Sequence, residues 1–297
     1  MMIKFNKFYT QFNIISLILV FVSLALLTFK GLNFGIDFKG GTLIELRSSS
    51  EKINVSSLRD NLSQMNLGDV SVKKFGNDQD YLVKFENKDN KKDIIDEIKA
   101  NLDKSFGNNF DFRRIENVGP KVSAELLRSG IIAISVSLAI MLIYIWIRFE
   151  WQFSLGAIIA LFHDVLITLG LFSVLSLEIN LSIIAAVLTI VGYSMNDTVV
   201  IFDRVRENLN KYSDIKIFEL TNISINETLS RTLITSVTTL LALFSIFFFG
   251  GEILKGFSLA MIFGVIFGTY SSIYIANTIL VRLNVSQKTI LKEEEKI

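Results

Sequence analysis

The stretch FYTQFNIISLILVFVSLALLTF (8–29) contains no Lys, Arg, Asp or Glu. It is long enough to cross the hydrocarbon core of a bilayer, for which a helix needs about 20 apolar residues. Five more apolar stretches follow, three of them uncharged and two interrupted by acidic residues: 129–147, 151–177, 179–202, 232–251 and 256–281. A soluble core could use one or two such runs but not six, so the sequence predicts a multi-pass membrane protein with six transmembrane helices.

The first apolar run resembles a signal peptide, because Lys4 and Lys7 precede it. It is, however, too long for an ordinary signal-peptide core, and no A-x-A-like cleavage site follows in TFKGLNFG (28–35). We therefore expect an uncleaved membrane anchor.

Lys and Arg residues near the helix ends predict the orientation, since they are enriched in cytoplasmic loops. With the N-terminus inside, the inner segments hold twelve Lys and Arg, whereas the short outer loops at 178–180 and 252–255 hold one. Those inner segments are 1–13, 148–152, 204–231 and 282–297. The sequence thus predicts cytoplasmic termini and an external segment between the first two helices.

We divide the chain accordingly into four parts. The first is the N-terminal segment with helix 1 (1–29), and the second is a periplasmic domain (30–128). Helices 2–6 (129–281) follow, with a cytoplasmic loop near 204–230, and a cytoplasmic tail (282–297) ends the chain. The external segment carries 17 basic and 16 acidic residues, so it has the polarity of a soluble domain.

Composition excludes several function classes. The 297 residues include no Cys and one His, which excludes disulfides, thiol chemistry and Cys-based metal sites. A net charge of +1 gives no sign of nucleic-acid binding. We expect no metal and no cofactor, and because no catalytic constellation is visible, we expect a protein that is not an enzyme.

Patterning in the external segment predicts a ferredoxin-like α+β domain. Alternating apolar residues predict four strands, and apolar stripes predict two helices, in the order βαββαβ. The predicted strands are TLIEL (42–46), DVSVKKF (69–75), YLVKFE (81–86) and FDFRRIE (110–116), with NDQD (77–80) as a turn, and the helices are 55–65 and 89–106. GIDFKGGT (35–42) precedes a strand rather than a helix, so a phosphate loop is not expected. We interpret the domain as a binding or mechanical module.

Pro120 is the only proline and lies just before the second apolar run. One interpretation is a helix start, because proline is well tolerated in the first turn. The other is a stiff joint that transmits motion between the external domain and the helices.

Ionisable groups at membrane depth are costly and often mark ion pathways. Asp164 and the neighbouring His163 lie near the middle of the third stretch, and Asp197 lies in GYSMNDTVVIFDR (192–204). Arg231 opens the fifth helix. A buried Asp197 that faces a buried Arg231 would form a pair that protonation breaks, which is a plausible proton-driven switch.

Other polar residues support this hypothesis, and simpler interpretations stay open. Asn196, Ser194, Thr235 and Thr239 are the candidate supporting residues. Arg231 could instead be an anchor at the inner face. His163 could be a proton relay or only a partner that steadies Asp164.

The sixth helix carries a stripe of small residues, four positions apart, which favours close helix packing. The stripe comprises Gly256, Ala260, Gly264, Gly268, Ser272 and Ala276. Its spacing does not reveal whether the neighbouring helix belongs to this chain or to another. No membrane helix contains proline, so GYSMND (192–197) is the predicted site of a flexible break.

Five blocks of sequence together resemble the SecF branch of the SecD/SecF family of preprotein translocase subunits, within the resistance-nodulation-division superfamily. They are GLNFGIDFKGGTLIE (31–45), VGPKVSAELLRSG (118–130), ALFHDVLITLG (160–170), VGYSMNDTVVIFDRVREN (191–208) and RTLITSVTTL (231–240). The resemblance covers the whole chain and implies six membrane helices with a ferredoxin-like periplasmic domain between the first two.

The resemblance also implies a function and partners. Members of the family pair with SecD, work with the SecYEG channel and YajC on a translocating preprotein, and use protons moving across the inner membrane lipid bilayer to drive late export. It implies a proton pathway through Asp197, Arg231, Asp164 and His163. Two alternatives stay open: a half-transporter of the same superfamily that exports small molecules or lipids, and a structural scaffold without ion coupling.

Overall fold

The computed structural model describes residues 2–49, 53–86, 94–107, 110–212, 214–287 and 289. The chain divides into two compact units, one formed by Met1–Asn33 with Ala133–Ile297 and the other by Phe34–Ile132. The helices are α1 (Tyr9–Phe29), α2 (Ile36–Lys39), α3 (Val55–Ser63), α4 (Ile94–Phe106), α5 (Pro120–Arg148), α6 (Trp151–Val174), α7 (Leu181–Lys211), α8 (Ile217–Phe249), α9 (Glu252–Ser271) and α10 (Asn277–Arg282). The strands are β1 (Asn33–Phe34), β2 (Gly41–Ser48), β3 (Val70–Phe75), β4 (Asn77–Phe85), β5 (Phe110–Val118) and β6 (Glu178–Ile179).

Six helical segments are long and apolar enough to cross a membrane, which confirms the number predicted from the apolar runs. They are Phe5–Phe29, Pro120–Arg148, Trp151–Val174, Leu181–Lys211, Ile217–Phe249 and Ile253–Arg282. Half or more of the most apolar window is buried in the third, fourth and sixth segments, against 17% or less in the others. Helices α6, α7 and α9 therefore form the interior of the bundle.

The small-residue stripe packs against α7 of the same chain, which answers the question that its spacing left open. A Cβ added to Gly264 would lie 2.3 Å from Ile190 Cγ1, and one added to Gly268 would lie 3.0 Å from Ser194 Cβ. At Gly256 the corresponding contact, with Ile183, is an ordinary 3.4 Å, and Ala260 is fully buried. Small side chains along the stripe let the two helices approach closely.

Helices α7 and α8 extend well beyond the apolar runs, so most of the predicted loop at 204–230 is helical and only 212–216 separates the two helices. Polar side chains pair between the extensions. Arg204 Nε lies 3.0 Å from Glu227 Oε2, and Asn208 Nδ2 donates to the same oxygen at 2.7 Å. These contacts stabilise the parts of α7 and α8 that extend beyond the apolar runs.

The second unit contains one antiparallel sheet with the strand order β3-β4-β2-β5. Helices α3 and α4 cover one face, where Leu58, Leu62, Ile98 and Leu102 are fully buried against the sheet. Alternate residues of β4 face this core: Tyr81, Val83 and Phe85. The element order βαββαβ is present, and the ferredoxin-like classification remains a prediction from that order.

The predicted turn at NDQD (77–80) is wrong, because all four residues belong to β4. Gly76 alone separates β3 from β4, in a left-handed conformation with φ +72° that favours glycine. Asp80 is compatible with the strand because it lies opposite Arg47 of β2, whose Nε is 2.5 Å from its Oδ1.

The double glycine in GIDFKGGT also has a structural reason. Gly40 and Gly41 join α2 to β2 with φ angles of +79° and +128°. A Cβ at Gly41 would lie 2.6 Å from the carbonyl oxygen of Phe85. Both the backbone conformation and the close approach therefore require glycine at position 41.

The remaining sequence predictions concern the segment ends. Helix α5 begins at Pro120, so the helix-start interpretation is confirmed; the joint interpretation remains a prediction. The part of the predicted helix 89–106 before Ile94 lies outside the described residues, as do residue 288 and residues 290–297 of the predicted tail.

Candidate functional site

The first candidate carboxylate, Asp164 of α6, is fully buried in the centre of the bundle. Ser194 of α7 and Ser271 of α9 donate hydrogen bonds to its Oδ2, at 2.5 and 2.7 Å. His163 Nδ1 lies 2.8 Å from its Oδ1. Two serine donors and one histidine nitrogen, supplied by α7, α9 and α6, satisfy both oxygens of this carboxyl group, as burial of a polar group requires.

His163 is held between Asp164 and helix α9. Its ring stacks on Tyr270 with centroids 5.9 Å apart, and the Tyr270 hydroxyl donates to the carbonyl of Phe12 on α1 at 2.6 Å. The second ring nitrogen, Nε2, is buried and has no hydrogen-bond partner among the described residues. This geometry fits both sequence interpretations of His163, a partner of Asp164 and a proton relay.

The second carboxylate, Asp197 of α7, ends a chain of hydroxyl groups. It is 2% exposed, and Thr269 of α9 donates to its Oδ2 at 3.1 Å. Ser236 of α8 lies 2.8 Å from the Thr269 hydroxyl, and Tyr193 donates to Ser236 at 3.5 Å. Thr269 donates to Asp197, and the Ser236 hydroxyl can donate either to Thr269 or to Asp197 itself, so both hydroxyls serve the carboxylate.

The expected buried pair between Asp197 and Arg231 is not formed. Arg231 is exposed and makes no ion pair with Asp197 in the described part of the chain; it acts on that carboxylate only through a longer-range Coulomb interaction. Position 231 lies on the outer face of α8, whereas Thr232 and Ser236 lie on the buried face. The interior donors to Asp197 are therefore Thr269 and Ser236.

The candidate supporting residues divide in the same way. Ser194 contacts Asp164 directly. Asn196 is exposed, and Thr235 donates to carbonyls of its own helix, to Arg231 at 3.1 Å among others. Thr239 is half-buried. Among the described residues, Ser194 is the one of these four with a hydrogen bond to a carboxylate.

One short segment of the sixth membrane helix contacts both carboxylates. Within Thr269–Ser272, Thr269 donates to Asp197 and Ser271 donates to Asp164. Ser272 lies 2.8 Å from the hydroxyl of Thr198, one residue beyond Asp197. We call Thr269–Ser272 the donor segment.

A π-helical turn, Ser272–Ala276, begins at the last residue of the donor segment. Asn277 Nδ2 donates to the Ser272 carbonyl at 2.8 Å and so satisfies backbone that the wider turn leaves free. The predicted break at GYSMND is wrong, because α7 continues through it and Ser194 and Asp197 bond to other helices instead of disturbing their own. The irregular turn lies in the sixth helix.

Sequence reasoning missed the donor segment, Ser236 and Asn277. Single Ser, Thr and Asn residues are common in membrane helices, and only the helix packing reveals which of them face a carboxylate. No group of three or more His, Asp or Glu side chains suited to a metal ion occurs in the described ranges. Two buried carboxylates with hydroxyl donors are suited to binding and releasing protons.

Comparisons with known proteins agree on one family. The profile described as "Protein export membrane protein SecD/SecF, C-terminal" matches residues 98–286, and the "SecD/SecF GG Motif" profile matches residues 25–51. The chain is 46% identical to the protein translocase subunit SecF of Rickettsia bellii (strain OSU 85-389), over 93% of this chain and 91% of that protein. It is 44% identical to the SecF of Cereibacter sphaeroides, over 92% and 86% respectively.

Solved structures extend the similarity. The chain matches a crystal structure of SecDF, described as a translocon-associated membrane protein from Thermus thermophilus, with a TM-score of 0.86 and 36% identity over 95% of this chain. A SecDF structure in the super-membrane-facing form matches with a TM-score of 0.72 and 34% identity. This chain spans only 39% and 40% of the length of those two chains.

Proposed function

We propose that this chain, which belongs to the SecD/SecF family of protein export membrane proteins, is the SecF-type accessory subunit of a bacterial preprotein translocase and couples proton movement to late steps of export. One observation carries the proton coupling: two buried carboxylates, Asp164 and Asp197, share the donor segment of the sixth membrane helix. Both carboxylates lie inside a bundle whose helices are long enough to cross a membrane.

The hydrogen-bond pattern explains how a proton could change the conformation. An ionised carboxylate accepts hydrogen bonds on both oxygens, whereas a protonated one must also donate. A proton on Oδ2 of Asp164 makes that oxygen a donor, so Ser194 and Ser271 can no longer both donate to it. A proton on Oδ1 instead requires His163 Nδ1 to accept. A proton on Oδ2 of Asp197 acts in the same way on the hydrogen bond from Thr269.

Because the donor segment is part of the sixth membrane helix, a change in its hydrogen bonds at either carboxylate can move that helix. The donor segment ends where the π-helical turn Ser272–Ala276 begins, and such turns are frequent at functional sites. A different donor pattern at Thr269 and Ser271 favours a different rotation of this segment against α7. The protonated and ionised carboxylates then favour different positions of this helix, so proton binding shifts the equilibrium between the two positions.

The partners and location follow from the same proposal. Arg231 and Asn196 are exposed on the bundle surface near Asp197, and we assign this surface to a SecD-type companion. The matched SecDF chains are long enough to contain one. The complex would reside in the inner membrane with cytoplasmic termini and a periplasmic 30–128 domain, and would act with SecYEG on the emerging preprotein.

The proposal is tested by export into inner-membrane vesicles that contain the SecD companion and either the wild-type chain or a variant. Asp197→Asn and Asp164→Asn keep the side-chain size but do not ionise, so we expect the proton-driven part of export to be lost in each. Asp60→Asn is the matched control, because Asp60 is an exposed carboxylate of α3 outside the bundle. Full proton-driven export with both bundle variants would refute the proposal.

A further inference from the structure

A groove of about 440 Å³ lies between α1, α6 and the end of the sixth membrane helix. Its walls are almost entirely apolar, and α1 supplies Ile14, Leu17 and Val20 at three-residue spacing. On the facing helix α6 the wall residues include Phe162 and Leu166. Leu17 is 71% and Phe162 46% exposed, so the groove opens sideways out of the bundle.

Polarity along the groove is graded. Arg282, at the last position of α10, lines one end together with Thr10 and Asn13 of α1. The Arg282 side chain is exposed and forms no ion pair with any described residue. An exposed guanidinium at the mouth of an apolar groove complements a ligand with an anionic head and a hydrocarbon tail.

The length of the groove matches one leaflet of a bilayer. Thr10 and Val20 mark its extent along α1, and ten residues at 1.5 Å each span about 15 Å. The hydrocarbon core of a bilayer is about 30 Å thick, so half of it is also about 15 Å. Arg282 belongs to the inner, Lys- and Arg-rich segments, which places the charged mouth at the level of the inner headgroups.

His163 forms part of the wall near the deep end. It lies twelve residues from the start of α6, or about 18 Å along the helix axis. Its side chain is 4% exposed, and Nε2 has no partner among the described residues. A ligand that fills the groove therefore covers the wall behind which this buried nitrogen lies.

We propose that the groove binds one inner-leaflet anionic phospholipid, with its phosphate on Arg282 and one acyl chain along α1 and α6. The chain end seals the His163 side of the Asp164 site from water. The binding site itself does not depend on the proposed export function, so either can fail without the other.

The test uses the purified full chain in mild detergent and native mass spectrometry. The probes are phosphatidylglycerol and phosphatidylcholine with identical acyl chains. We expect one phosphatidylglycerol to be retained per chain and phosphatidylcholine to be retained at least several-fold less. Equal retention of the two lipids would overturn the proposal.

Variants locate the site. Arg282→Gln should weaken phosphatidylglycerol retention about five-fold, because one basic residue near an anionic surface contributes about 1 kcal/mol. Lys7→Gln is the control, since Lys7 is exposed at the same end but does not line the groove. Equal losses in both variants would refute headgroup binding at Arg282.

A second pair of variants tests whether the acyl chain of the lipid lies in the groove. Leu17→Trp fills the groove and should lower retention, whereas Ile18→Trp changes an exposed neighbour that does not line it and should not. The chain has no Cys, so Leu17→Cys is a unique cross-linking position. In membranes, we expect Leu17→Cys to cross-link to a photoactivatable phosphatidylglycerol. If it cross-links to a protein instead, a partner helix occupies the groove, and the proposal is overturned.

Discussion

Replacement of Gly264 by Ala gives a direct measure of how closely α9 approaches α7. The new Cβ would lie 2.3 Å from Ile190 Cγ1, 2.5 Å from its Cδ1 and 2.9 Å from its Cγ2. Ordinary contact begins at 3.4 Å, so the nearest atom is too close by about 1.1 Å. Ile190 is 1% exposed and cannot turn away into free space.

The expected loss of unfolding free energy follows from a comparison of two glycine positions within the bundle. Overpacking a close-packed site costs about 1–3 kcal/mol, and three short contacts place Gly264→Ala near the upper end. Gly192→Ala is the matched control, because a Cβ at this helical position meets nothing within 4 Å. Both changes gain the same helix propensity of about 1 kcal/mol, so the difference of about 3 kcal/mol in unfolding free energy isolates the steric overlap.

The assay is reversible unfolding of the full chain in mixed detergent micelles, followed by the fluorescence of the two Trp residues, Trp146 and Trp151. Ile190→Ala removes all three contacting atoms, and alone should cost about 2–5 kcal/mol. In the Gly264→Ala background its cost should fall by up to about 3 kcal/mol, since the two residues share one space. Equal stability of the Gly264→Ala and Gly192→Ala proteins, or strict additivity in the double variant, would refute this account of the packing.

Two further predictions concern the 34–132 unit. The Arg47 guanidinium holds the pKa of Asp80 below its usual value of 3.8, so the stability that this pair contributes is present above about pH 4 and is lost as the pH falls through the lower folded value. The protection factors of β4 amides, which correct for the intrinsic exchange rate at each pH, should therefore fall in that range, and Asp80→Asn should flatten this dependence. Gly41→Ala should destabilise β2 and β4 by clearly more than Gly76→Ala, which has only the left-handed penalty of about 1–2 kcal/mol, because the Gly41 Cβ also meets the Phe85 carbonyl; equal protection of β4 amides in the two variants would contradict this.

The sequence was sufficient for the features that depend on composition and on short-range pattern. Six apolar runs, four of them free of charge, predict the six membrane-length helices, and alternation in 81–86 predicts a strand whose Tyr81, Val83 and Phe85 are buried. The burial of Asp164 and Asp197 also follows, because a carboxylate inside an apolar run can only face the bundle interior or a polar cavity. These features are local, and each depends on a single segment.

The features that could not be predicted from the sequence depend on contacts between segments that are distant in the chain. Helical spacing grouped Arg231 with Thr235, but it could not show that the buried face of α8 is the one with Thr232 and Ser236. The π-helical turn has no glycine or proline to mark it, and the continuation of α7 and α8 depends on pairs such as Arg204 with Glu227. The strand at 77–80 depends on Arg47, which lies 33 residues from Asp80.

The contacts of α1 have a consequence for the order in which the protein can be assembled during synthesis. Polar side chains of α1 find their partners near the other end of the chain: Tyr9 donates to Thr221, Asn13 to Thr278, and Ser16 bonds to Tyr270. A ribosome delivers α1 first, and those partners emerge more than 200 residues later. Helix α1 therefore lacks part of its hydrogen bonding until the last helix is made. A chain that stops before Thr269–Arg282 leaves Ser16 without Tyr270, Asp197 without Thr269 and Asp164 without Ser271.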